Sequence, residues 1–95
     1  MPTETTKGKK IEVYNFSVDT NGSTIVINDK NVNTFVIQCR TAVDLYLRES
    51  AGAGDYFTIK SGTVFTLDIQ PGSYEPFHIT SGAGTVVVEI VAHRI

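Results

Sequence analysis

From Ile11 onward the chain alternates apolar and polar positions with a period of two, and clusters of turn residues interrupt the alternation at short intervals. That pattern specifies strands buried on one face, and its spacing specifies an all-β sandwich or barrel. The predicted strands are Ile11–Val18, Ser23–Ile27, Thr34–Cys39, Val43–Glu49, Tyr56–Lys60, Thr63–Ile69, Glu75–Thr80 and Thr85–Ile95. Inward phases place Phe35, Ile37, Leu45, Leu47, Phe57, Ile59, Phe65, Leu67, Phe77, Ile79, Val86, Val88 and Ile90 in the core. Asp19-Thr20-Asn21-Gly22 reads as a type I′ hairpin turn, because Asn and Gly both accept positive φ. Ser61-Gly62, Gln70-Pro71-Gly72-Ser73 and Ser81-Gly82-Ala83-Gly84 are further breaks. Phe57-x-Ile59-x-Ser61-Gly62 is echoed by Phe77-x-Ile79-x-Ser81-Gly82, which predicts two similar hairpins. No segment carries a convincing helical period. The expected fold is an antiparallel β-sandwich of about eight strands, jelly-roll or immunoglobulin-like, with a small closed barrel as the alternative.

Residues 1–10, MPTETTKGKK, stand apart from this pattern. They hold one large apolar residue and nothing that offsets the entropy of ordering, so they read as a flexible arm preceding a domain over 11–95. No apolar stretch follows the lysines, so the segment does not read as a secretory signal. Lys7, Lys9 and Lys10 against Glu4 make the arm basic and leave the remainder with five basic and nine acidic residues, a net charge of −4. Such an arm is either a solvated tail or an arm that docks on an acidic neighbour.

The 95 residues, 41% hydrophobic and 19% charged, are too apolar for a disordered chain and suffice for one domain only. No apolar run approaches the ~20 residues of a membrane-spanning helix. The overall charge of −2 disfavours a nucleic-acid binder. Cys39 is the only cysteine, so the chain forms no internal disulfide and has no CxxC metal motif; it is expected as a small buried hydrophobe. A nucleophile–base pair or a metal site would draw on His78 and His93, both on outward phases, and no ligand spacing accompanies them. Asp19-x-Asn21-Gly22 lacks the further ligands of a calcium loop. Tyr14, Tyr46, Tyr56 and Tyr74 could stack on a sugar but are scattered along the chain. No enzymatic activity, metal or cofactor is expected.

The last strand exceeds what a half-solvated strand needs. Val86, Val88, Ile90 and Ala92 fill one face, while Val87 and Val91 lie on the other beside Glu89 and His93. Either the fold covers this strand on both sides, or its outer face meets another subunit. Val87, Val91 and His93 are therefore the candidate subunit interface.

The runs Asp44-Leu45-Tyr46-Leu47-Arg48, Asp55-Tyr56-Phe57-Thr58-Ile59-Lys60-Ser61-Gly62, Thr66-Leu67-Asp68-Ile69 and Gly82-Ala83-Gly84-Thr85-Val86-Val87-Val88-Glu89-Ile90 resemble small virion structural proteins of tailed bacteriophages. The resemblance spans roughly residues 32 to 92. It implies a capsid decoration, or cement, protein located on the capsid surface and made in the host cytoplasm. Its partners would be copies of itself, a homotrimer first, and the major capsid protein, with no nucleic acid and no membrane. It carries no catalytic residues. The alternative is a carbohydrate- or host-surface-binding module of a phage tail or bacterial appendage. A cupin-like enzyme is weaker, because a cupin needs clustered metal-binding histidines.

Overall fold

The computed structural model describes residues 11–27, 31–70 and 75–94. The expected arm over residues 1–10, with Lys7, Lys9 and Lys10, lies outside the described residues, as does Tyr74. Among the described residues there are eight strands: β1 (Ile11–Val18), β2 (Ser23–Ile25), β3 (Val32–Cys39), β4 (Leu45–Arg48), β5 (Phe57–Ile59), β6 (Phe65–Asp68), β7 (Phe77–Ser81) and β8 (Val86–Arg94). The described residues contain no helix. Each element falls where period-two alternation predicts it, usually shortened at its ends. At β4, for example, Asp44 leaves the ladder and its carboxylate accepts the Ser61 backbone N–H at 2.7 Å.

The strands form two antiparallel four-stranded sheets, ordered β1-β8-β3-β6 and β2-β7-β4-β5. Among the pairings, β1 with β8, β2 with β7, β3 with β6 and β4 with β5 are nested, like a long hairpin rolled into two layers. That order is a jelly roll. It excludes the immunoglobulin arrangement, and the two separate sheets exclude a closed barrel.

The nesting corrects three expected hairpins. β1 and β2 belong to different sheets, so Asp19–Gly22 carries the chain across the sandwich and does not fold it back. Its geometry is still that of a tight turn. Gly22 has φ +89°, its N–H donates to the Asp19 carbonyl at 3.1 Å, and the Asp19 carboxylate accepts the Asn21 and Gly22 N–H groups. The two echoed Phe-x-Ile-x-Ser-Gly segments likewise end strands of the second sheet and turn into strands of the first. The echo marks two equivalent corners.

The core lies between the sheets. Val18, Ile25, Ile27, Val32, Phe35, Ile37, Leu45, Ile59, Phe77, Ile79, Val86, Val88, Ile90 and Ala92 are buried, each large side chain contributing about 1.5–3 kcal/mol by leaving water. Phe35 from the first sheet meets Phe77 from the second edge-to-face at 5.8 Å. Leu47, Phe65 and Leu67, expected in the interior, are partly buried against this cluster, and so is Cys39. Phe57 departs furthest from expectation, being 54% exposed despite its inward phase. It lies on β5, a three-residue strand at the edge of its sheet, where no further described strand closes the gap between layers.

Candidate interaction surfaces

The two outer faces of the sandwich are built differently. On the first sheet, cross-strand register lines up residues in bands. One band is apolar: Val13 on β1, Val91 on β8 and Val36 on β3. The next, towards the other end of β8, pairs Asn15, Glu89 and Gln38. Here Gln38 Nε2 donates to Glu89 Oε1 and Arg40 Nε to Glu89 Oε2, both at 2.8 Å. These donors hold the Glu89 carboxyl below the ordinary glutamate value, the Gln38 hydrogen bond first and the Arg40 hydrogen bond second.

The outward strand phase thus brings the three sequence-predicted interface residues to one face. Val91 lies half-buried within the apolar band. Val87 lies half-buried between Ser17 and Arg40, and His93 is exposed beside Ile11 and Thr34. β8 is flanked by β1 and β3, which explains why its outer valines are only half-buried while no described strand lies over them. Val13 is 62% exposed and Ile11 52%.

The outer face of the second sheet is polar, yet part of it is sealed. His78 was expected on an outward phase and does lie there, but it is only 6% exposed. The reason is the Asp19–Gly22 crossover, which folds onto it: His78 Nε2 is 3.2 Å from the Asn21 carbonyl and Nδ1 is 3.3 Å from Thr24 Oγ1. The carbonyl can only accept, so Nε2 donates to it, and in the neutral ring Nδ1 then accepts the Thr24 hydroxyl. A Cβ on Gly22 would collide with the His78 ring, the Thr80 methyl and the Ile79 carbonyl, so only glycine permits this closeness. Thr80, also buried, accepts a 2.7 Å hydrogen bond from Arg48 Nη1. His78 and His93 sit on different sheets, and among the described residues no group of three or more His, Cys, Asp or Glu side chains could hold a metal ion.

At the β4–β5 end of the sandwich the layers part into a cleft of about 560 Å³. Leu47 and Phe77 of the second sheet and Leu67 of the first form its apolar floor. Phe57, Tyr56, Arg48, Glu49 and Asp55 line its upper part. Continuing the β4–β5 register sets Tyr56 opposite Arg48, whose guanidinium carbon lies 4.9 Å from the Tyr56 ring centre. Tyr46 meets the same ring edge-to-face at 4.9 Å. Two tyrosines that the sequence scatters are thus gathered with an arginine. The available signal was the alternation placing Tyr46 and Arg48 together on one face of β4, one short loop away from Tyr56.

No family model matches the chain, and no curated protein matches it.

Proposed function

We propose that this chain is a non-enzymatic virion structural protein, a capsid decoration protein that binds across neighbouring capsomers and stabilises the head. The observation that carries the proposal is the uncovered apolar band Val13–Val91–Val36 on the first sheet, bordered by ion-paired and amide side chains. An apolar stripe rimmed by polar groups on a small protein is the signature of a protein–protein surface. The jelly roll is an architecture of viral capsid proteins, although a fold alone assigns no function. The resemblance of residues 32 to 92 to phage virion proteins supplies the partner class.

On this reading Val91, with Val87 and His93 flanking it, meets a second copy, with a trimer favoured. Lys7, Lys9 and Lys10 engage the major capsid protein. Area buried on several capsomers at once adds binding free energy that opposes rupture from within. Mass spectrometry of purified phage particles from the source of this sequence tests the proposal. The chain is expected in abundance in the head fraction, and particles lacking it refute the assignment. Co-sedimentation of the purified chain with particles stripped of it then compares the full protein with one deleted for residues 1–10. The deletion is expected to leave the sandwich folded and weaken binding.

A further inference from the structure

We propose that the cleft at the β4–β5 end is a binding site for one neutral sugar ring, with Phe57 as its aromatic platform and Tyr56 at its rim. This does not rest on the capsid reading and applies to a protein in any location.

The starting point is the exposure of Phe57. A phenylalanine on the inward phase of a sandwich is ordinarily sealed by the opposite layer. Here the edge strands leave over half of its surface facing a cleft of about 560 Å³, within the size range of small-molecule sites. Its ring is nevertheless fixed, packed at 4.9 Å against Phe65 of the first sheet. Tyr56, next in the chain and 55% exposed, is held by Tyr46 and by the Arg48 guanidinium. Arg48 is itself anchored on Thr80. The half-exposed Phe57 ring, and the Tyr56 ring at the rim on the other phase of β5, are therefore immobilised before any ligand arrives, so little side-chain entropy is lost on binding. The flat C–H face of a pyranose is the apolar surface that such rings stack on.

The polar groups select the rest of the ligand. Glu49 and Asp55 are acceptors, and Arg48 keeps donors beyond the one given to Thr80. Sugar hydroxyls both donate and accept, so they can satisfy this mixed set. Two carboxylates and one guanidinium create no strong field of one sign, which argues against a phosphate or a polycation. An extended peptide would need a strand edge to pair with, and β5 offers three residues.

Titration of the isotopically labelled full chain with the methyl glycosides of glucose, galactose, mannose and N-acetylglucosamine, followed by amide NMR shifts, tests the site. At least one glycoside is expected to produce saturable shifts confined to residues 48–49 and 53–57. Phe57→Leu keeps an apolar side chain at an exposed position but removes the flat ring. It is expected to retain the wild-type spectrum elsewhere and to weaken binding by about tenfold or more, the loss typical of a truncated aromatic anchor. Absence of saturable shifts with all four glycosides, or shifts elsewhere on the fold, overturns the proposal, as does a Phe57→Leu variant that binds as tightly as wild type.

Discussion

The outer faces of the two sheets reverse the usual relation between polarity and exposure. On the first, valines and isoleucine stand open: Ile11 and Val13 are exposed, and Val36, Val87 and Val91 are half-exposed. On the second, a histidine and a threonine are buried. The difference is set by what crosses each face. The Asp19–Gly22 segment must travel from β1 to β2, and in doing so it lies over His78 and supplies a carbonyl to it. Burial of those polar groups is tolerated because each has a partner within its own chain. No described segment crosses the β8 face, so its apolar band stays available to another molecule. Completeness of internal hydrogen bonding, and not residue type alone, separates the closed face from the open one.

The strongest way to break this contrast is at Gly22. Gly22→Ala combines a left-handed φ with a collision against His78 and the β7 backbone, and is expected to cost roughly 2–4 kcal/mol in urea denaturation. Gly84→Ala is the control, with φ +64° but open space around it, and should lose only about 1 kcal/mol. Equal losses at the two glycines would mean that the crossover does not seal the second face.

His78→Leu should come next. It strands the Asn21 carbonyl and the Thr24 hydroxyl, for about 1–3 kcal/mol measured by the same unfolding curves. His93→Leu on the open face should stay within about 0.5 kcal/mol. Val91→Thr sharpens the functional side. It changes the shape of the band little, so the fold should persist with a loss of about 1 kcal/mol or less, while self-association read by sedimentation velocity falls. An unchanged sedimentation profile from an associating wild type would remove Val91 from the contact.

The smallest effect is electrostatic. Glu89 has a folded-state pKa below its unfolded one, so its charged form adds stability that is fully present above the unfolded value. That contribution is lost as pH falls through the lowered folded value. Glu89→Gln should remove that contribution near neutrality, flatten the acid unfolding curves over that interval and converge with wild type at the acid end.

The strands were legible because half-buried strands write their period directly into the sequence, as Val43 to Glu49 does. Their pairing was not. Asn21-Gly22 has the local chemistry of a hairpin, but β1 finds its partner in β8, and no local signal encodes that choice. Phe57 was placed on the correct side of β5, yet alternation says nothing about whether the opposite layer extends far enough to cover it. For the outer residues, alternation correctly put Val87, Val91 and His93 on one face. It could not reveal that His78, equally outward, lies beneath a turn more than fifty residues away in the chain. The Tyr46–Tyr56–Arg48 group forms across the one pairing between consecutive strands, so it was the part of the cleft within reach of the sequence.

The nested pairing also dictates an order of events during synthesis. β4 and β5 can meet as soon as both are made, and the β3–β6 and β2–β7 pairs close successively longer loops. β1, made before the other seven, has no ladder partner until β8 has emerged. Ile11, Val13 and Phe16 therefore stay on an unpaired strand until β8 is made, and a chain stalled before residue 86 presents that strand to whatever is nearby. The last of these pairs to form is the one that brings Val13 beside Val91, so the apolar band comes into being only when the sandwich closes.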